Sequence, residues 1–220
     1  MFTKLKVFLA TSSAGKIQQI KEAANDFFLG KRKCDEVPLR FYRVTEKNAL
    51  EVDEDANTLV GNAVKKAQAY HRMYGGVVMA DDSGIFVTAL KGCPGVHSRR
   101  DGWKPSVVMK KLKGTDYLYR HAIMQTAVAV CYTGDGGDRR TETFLANNDG
   151  HIVETCDKPD VGTYGYDKIF VPHGYDEWMT VHKLLNFRDV SMRVSRETME
   201  YPRNIAWQKA FEFIDSEFMP

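Results

Sequence analysis

The sequence predicts a mixed α/β fold, a β-sheet flanked by helices, on three observations. Apolar runs of strand length alternate with helical periodicity through the first half of the chain. In the second half a strongly apolar segment meets a hairpin partner across a Gly- and Asp-rich turn. The composition, 43% hydrophobic and 27% charged over 220 residues, is that of an ordinary globular protein. Disordered, collagen-like and coiled-coil classes are thereby excluded. A chain of this length buries about 70% of its unfolded surface without staples, and one domain or two intimately packed lobes is expected, residues 1–220 being taken as a single domain.

The elements follow in order. Residues 5–10 (LKVFLA) carry β-branched and aromatic side chains and no turn former, residues 11–15 (TSSAG) break the run, and residues 16–28 resume at helical spacing. Ile17, Ile20, Ala23, Ala24 and Phe27 make one apolar face, and the helix should stop near Gly30. Residues 39–44 alternate as an exposed strand does. Five acids lie between Glu46 and Asp55, after which residues 58–74 read as a second long helix ended by Gly75 and Gly76. Residues 77–80 (VVMA) form a buried-strand pattern closing on a turn at Asp81, Asp82, Ser83 and Gly84, with residues 85–90 extended beyond it. Residues 91–103 read as loop, 106–112 as helix, and 122–132 as a strand paired with 141–146 across TGDGGDRR. Gly150 and Pro159 mark further turns. A Gly and aromatic stretch, VGTYGYDKIFVP, enters a short strand, and residues 196–218 form a final helix interrupted near Pro202.

Charge narrows the function classes. Lys plus Arg (31) against Asp plus Glu (29) leaves +2, too little for a general nucleic-acid or membrane-surface binder. The short apolar run at the start suits neither a signal peptide nor a bilayer span. Cys34, Cys93, Cys131 and Cys156 form no CxxC pair and no metal-ligand cluster, so zinc is disfavoured and reduced thiols fit a soluble intracellular protein.

Four constellations could carry chemistry. In the loop Thr11, Ser12, Ser13, Ala14, Gly15 and Lys16, small residues let backbone N–H groups approach an anion at a helix N-terminus, and Lys16 adds a full charge. It is not a Walker loop, and a simply capped helix is the alternative. Asp81 and Asp82, with the acidic stretch upstream, supply hard oxygen ligands of the kind Mg²⁺ takes beside substrate phosphates; a solvated approach to the second helix is the competing reading of the acidic stretch. In TYGYDK, two aromatics flanking Gly165 could stack on a base while Asp167 accepts from ring N–H groups, although Tyr so placed is commonly ordinary packing. The basic run of Lys183, Arg188, Arg193, Arg196 and Arg203 offers phosphate-matching groups, most of them read as solvated surface. The six histidines show no motif spacing, and no GxSxG elbow or activated cysteine is present.

Taken in order, ATSSAGK (residues 10–16), EDANTLVGNAVKKA (54–67), ADDSGIFVTALKGCPGVHSR (80–99), the Arg120 to Ala122 strand start, YGYDKIF (164–170) and YPRNIA (201–206) resemble the inosine triphosphate pyrophosphatase family over almost the whole chain. That resemblance implies an elongated mixed sheet in two lobes with the active site in the cleft, usually as a homodimer. It implies Mg²⁺-dependent hydrolysis of inosine and xanthosine triphosphates to the monophosphate and pyrophosphate. Residue by residue, it implies that Thr11 to Lys16 hold the triphosphate, that Glu54 and Asp82 bind Mg²⁺, and that Asp82 or Asp81 activates water. Lys66 then reaches phosphate, Ser83 lies at the substrate, Tyr164 and Tyr166 enclose the base around Gly165, Asp167 touches its edge or the sugar side, and Arg203 meets the purine carbonyl. The family is found in cells and in some plant RNA virus polyproteins, so the address it implies is cytoplasmic, a host's in the viral case. No membrane and no stable nucleic-acid partner is expected.

Departures from the family pattern bear on specificity. Ser13 stands for Asn, Gly61 for Glu, Lys168 for Pro, and Tyr201 and Pro202 for the Ser and His of an SHR triplet; Glu197 falls on a family Lys, with Arg196 beside it. Loss of the base-reading His predicts retained chemistry with altered or relaxed base choice. A binding module that has lost turnover is the alternative, disfavoured by the retention of Lys16, Glu54, Asp81 and Asp82, and an RNA-binding accessory protein is weaker still.

Overall fold

The computed structural model describes residues 4–33, 35–45, 47–98, 100–161, 165–187 and 189–219. Its strands and helices, in chain order, are β1 (Leu5–Leu9), α1 (Ala14–Asn25), β2 (Leu39–Arg43), α2 (Leu59–Tyr74), β3 (Val77–Val87), α3 (Pro105–Lys111), β4 (His121–Thr133), β5 (Arg139–Ile152), β6 (Phe170–Pro172), α4 (Val181–Leu185) and α5 (Pro202–Phe218). The six strands make one sheet in the order β2-β1-β3-β4-β5-β6. β1 runs parallel to β2 (Val7 opposite Phe41) and to β3 (Val7 opposite Val77), and β6 is antiparallel to β5. The mixed α/β expectation therefore holds, with parallel pairing early in the chain and antiparallel pairing late.

The chain divides into two compact units, one of Met1–Asp82, Thr126–Ala146 and Arg203–Pro220, the other of Ser83–Gln125 and Asn147–Pro202. Each has its own apolar core. In the first, Val7, Leu9, Ile20, Phe28, Met79, Val128, Trp207, Phe211 and Ile214 pack together from β1, α1, β3, β4 and α5 and the turn after α1. In the second, Ile85, Val87, Val108, Leu112, Ile152, Ile169, Phe170 and Leu184 do the same. Each such fully buried large side chain contributes about 1.5–3 kcal/mol relative to exposure.

Local chemistry explains the elements that position the site. β1 ends at Leu9, the chain turns through Thr11, and Ser13 caps α1 by accepting from Lys16 N–H at 3.4 Å. Thr58 caps α2 by accepting from Gly61 N–H at 3.0 Å. A β-carbon on Gly61 would lie 2.7 Å from that of Ala56, which accounts for glycine at this departure from the family pattern. α1 gives way at Asp26–Lys31 to a wider π turn that carries the chain past Gly30. In the second unit Arg120, 3% exposed, donates to the carbonyls of Leu112, Thr115 and Val153 at 2.6–2.8 Å, tying the segment after α3 to the residues beyond β5.

Three expectations are corrected. Asp81 to Gly84 form no turn: β3 continues through them to Val87. Gly150 is no turn either but lies within β5 opposite Pro172, where a β-carbon would meet the Val171 carbonyl oxygen at 2.1 Å. Pro202 does not interrupt a helix; it opens α5, where its missing N–H costs no intrahelical bond. Helix α4, with Thr180 as its cap, has no counterpart in the sequence reading.

Candidate active site

In the first unit the candidate residues collect where β1 ends and β3 runs on. Parallel pairing with β1 stops at Leu9 and Met79, Ala10 N–H still donates to the Met79 carbonyl at 2.8 Å, and Asp81 and Asp82 follow on β3 beyond the end of β1. Ligand sites in α/β sheets favour these carboxyl ends. The first-turn amides of α1, those of Ala14 and Gly15, have no intrahelical acceptor and lend the N-terminus its partial positive charge. Thr11 Oγ1 accepts from Ser13 N–H at 3.3 Å, which holds the loop closed, while Ser12 and Ser13 stay exposed.

The adjacent aspartates have different partners, as alternating strand positions require. Asp81 is buried, and its Oδ2 meets the Lys16 ammonium at 3.0 Å and the Arg203 guanidinium at 3.3 Å. Arg203 also donates to Gln19 Oε1 at 2.5 Å. Burial alone would raise the Asp81 pKa, yet Lys16, Arg203 and Lys66 together hold it far below the usual carboxylate range. Its Oδ1 is buried with no hydrogen-bond partner among the described residues. Burial, helped by Arg203 and Lys66, pushes Lys16 below the ordinary lysine range against the pull of Asp81.

Asp82 is half-buried and points to a second set of groups. Its Oδ2 accepts from Asn62 Nδ2 at 3.1 Å, and Asn62 Oδ1 in turn accepts from Ala56 N–H at 3.0 Å, so one buried amide clamps the acidic loop to β3. The Lys66 ammonium lies 3.1 Å from Glu54 Oε2 and 3.6 Å from Asp82 Oδ1. Burial raises the Asp82 pKa, partly offset by Lys66 and Asn62. For Lys66 burial is the largest influence and acts downward, but Asp82, Asp81 and Glu54 outweigh it and leave the amine more basic than usual. Glu54 and Asp82 thus already converge on one positive charge, and two hard oxygens so placed suit Mg²⁺. Among the described residues no cluster of three or more His, Cys, Asp or Glu is assembled for a metal. Water and phosphate oxygens would complete the shell, as Mg²⁺ ordinarily has it.

The remaining candidates belong to the second unit. Ser83 follows Asp82 in β3. Gly165 takes a left-handed φ of 63° at the head of the turn that leads into β6. Tyr166 packs against the second core, with burial pushing its phenol up to about 12 despite a hydrogen bond with Ser98. Asp167 is buried and accepts from Tyr201 Oη at 3.0 Å. Tyr164, Arg99, Thr163, Arg188 and Cys34 lie outside the described residues. Cys93, Cys131 and Cys156 carry free thiols. No helix among the described residues is long and apolar enough to cross a membrane.

Sequence reasoning placed Lys16, Glu54, Lys66, Asp81 and Asp82, and the structure brings all five together with Arg203. It missed Gln19 and Asn62 as hydrogen-bonding members of this group. Asn62 could have been suspected as a polar residue on the apolar face of α2; nothing local marks Gln19.

Three cations set against three carboxylates beside a helix N-terminus can exchange partners with a polyanion and a hard cation together. Fold and site define a polyphosphate-handling α/β protein. Comparison with known proteins makes this specific: the Ham1 family model matches residues 7–210, and the chain belongs to that family. The dITP/XTP pyrophosphatase of Thermoanaerobacter pseudethanolicus is 32% identical over 176 residues, covering 76% of this chain and 79% of the relative. That of Bacillus subtilis is 31% identical over 186 residues, covering 81% and 86%. The fold is shared with the Ham1 protein of Staphylococcus aureus (TM-score 0.68, 23% identity, 96% of this chain and 99% of that one). It is equally shared with a HAM1 protein from Coxiella burnetii (TM-score 0.69, 21% identity, 97% and 99%).

Proposed function

We propose that the chain is a nucleoside triphosphate pyrophosphatase that hydrolyses 6-oxopurine substrates, deoxyinosine and xanthosine triphosphates among them, and so clears them from the nucleotide pool. The observation that carries this reading is the Lys16–Asp81–Arg203 group beside the Glu54–Lys66–Asp82 group at the carboxyl end of β1. The same reading takes residues 1–220 as one catalytic domain, working as a cytoplasmic homodimer with Mg²⁺ as its cation.

Glu54 and Asp82 would hold Mg²⁺, which supplies charge neutralisation to the triphosphate. The α1 amides and Lys16 bind the polyphosphate, and Lys66, released from its carboxylates, joins them. Tyr164, Gly165, Tyr166 and Asp167 serve the base, and Ser83 the substrate beside Asp82. As Lys16 turns to phosphate and Arg203 to the purine carbonyl, Asp81 loses both counter-charges. Its basicity then rises only when a substrate with both features is bound. Asp81 accepts a proton from water as the water oxygen bonds to the α-phosphorus; the bond from that phosphorus to the bridging oxygen breaks, and pyrophosphate leaves with the electron pair. The protein contributes positioning and charge, as loose phosphoryl-transfer transition states demand.

The test is pyrophosphate release from ITP, dITP, XTP, GTP, ATP and UTP, with Mg²⁺ and with EDTA. Release that needs the metal, prefers the oxopurines by a margin that loss of the SHR His has narrowed, and falls by about 100-fold or more in Asp81→Asn and Asp82→Asn is the expected result. Nucleotide binding without release from any member of the panel would mean a retired enzyme kept as a binding module.

A further inference from the structure

The geometry around Asp167 points to Tyr201 as a positioning residue that sets which base the site accepts; this rests on the pyrophosphatase reading and deepens it. Asp167 and Tyr201 are 5% and 4% exposed, and the phenol donates to Asp167 Oδ1 at 3.0 Å. The main chain of Asp167 is fixed separately, its carbonyl accepting from His182 N–H at 2.9 Å and the preceding Tyr166 carbonyl from Ile169 and Phe170. The carboxylate is the part that Tyr201 grips.

Tyr201 itself has little freedom. Residues 195–200 form a turn closed by Glu200 at a left-handed φ of 51°, with Tyr201 N–H donating to the Arg196 carbonyl at 2.8 Å and Glu200 N–H to that of Glu197 at 3.0 Å. This is the paired closure of a Schellman motif, which characteristically brings the residue after the left-handed one against the residue that accepts its N–H. Here that contact is the Arg196 guanidinium, 5.9 Å from the centre of the Tyr201 ring. From β5, Asn148 donates to the Met199 and Glu200 carbonyls at 2.7 and 3.2 Å, and Pro202 opens α5 immediately afterwards.

Because the phenol donates, Asp167 must be the acceptor, and a carboxylate so engaged presents acceptor character alone to the base edge. A 6-oxopurine carries a donor N1–H; adenine carries an acceptor at N1. A carboxylate held in one orientation therefore favours the first and opposes the second, because a buried acceptor facing another acceptor leaves both unpaired. Tyr201 acts through Asp167, in a chain whose SHR triplet reads Tyr201, Pro202 and Arg203.

Tyr201→Phe removes the hydroxyl and keeps the ring. With the wild type releasing pyrophosphate, the variant should lower the ITP-to-ATP ratio of kcat/KM by about tenfold or more. The change should fall mainly on KM for ITP, with kcat within about threefold. Asp167→Asn keeps the volume and the phenol bond but offers a donor, and it should move the ratio the same way; the double variant should be less than additive. Thermal melts establish that each variant is folded, and Asp167→Asn alone tests the proposal should Tyr201→Phe not fold. A ratio unchanged within about twofold in the folded variants, or equal losses on every nucleotide, would overturn it. A wild type that releases pyrophosphate from no nucleotide would overturn both this proposal and the pyrophosphatase reading.

Discussion

At the scale of single residues, neighbours in sequence diverge in chemistry because the strand turns them to different partners. Asp81 faces Lys16 and Arg203 while Asp82 faces Asn62 and Lys66. The consequence for Asp81 is measurable through pH. Its folded pKa lies below the ordinary 3.8, so its ion pairs stabilise the fold fully above that value and progressively less as the pH falls beneath it. Asp81→Asn should be less stable than the wild type at pH 7. That gap should narrow below pH 3.8 in urea titrations; a gap constant down to pH 2.5 would contradict the ion-pair account. Such partners are invisible in sequence: Arg203 stands 122 positions from Asp81, and only folding brings its guanidinium within 3.3 Å of that carboxylate.

At the scale of elements, most strands and helices were legible because their apolar periodicity is local. β1, α2, α3 and β4 fall within a residue or two of expectation. The failures share one cause. Asp81, Asp82, Ser83 and Gly84 have turn propensity, yet ion pairs from Lys16, Arg203 and Lys66 and the Asn62 amide hold the two aspartates within an extended strand. Gly150 reads as a turn former, yet its use is close approach: the Val171 carbonyl and Phe170 ring occupy the space of a side chain. Gly150→Ala should therefore force β5 from β6 and destabilise the protein by about 2–3 kcal/mol, measured as a lowered urea midpoint. A change under about 0.5 kcal/mol would show that the pairing gives way freely.

At the scale of the whole molecule, each apolar core is assembled from segments far apart in the chain, α5 joining the core of β1 and α1 at the first unit. The candidate site residues Lys16, Lys66, Asp81 and Arg203 come from four elements of that unit, so ligand binding there should be read by global stability. An oxopurine nucleoside triphosphate with Mg²⁺ at about 100 times its Kd adds about 2.7 kcal/mol. For a protein of this size that corresponds to a melting temperature higher by about 5–11 °C. Turnover is avoided with a non-hydrolysable analogue, and EDTA should remove most of the gain. An equal shift with and without metal would detach the Glu54 and Asp82 pair from nucleotide binding.

The sequence by itself determined the strand–loop–helix that presents Lys16, the Asp81 and Asp82 pair, the acidic approach with Glu54, and the family resemblance that the Ham1 match bears out. Each of these is contiguous, so spacing along the chain carries its chemistry. Tertiary structure alone decided that Asn62 clamps the acidic loop to Asp82, that Lys66 lies between Glu54 and Asp82, and that Tyr201 grips Asp167 from 34 positions away. Hydrogen bonds and ion pairs act over about 3 Å, and only folding brings residues so distant in sequence within that reach.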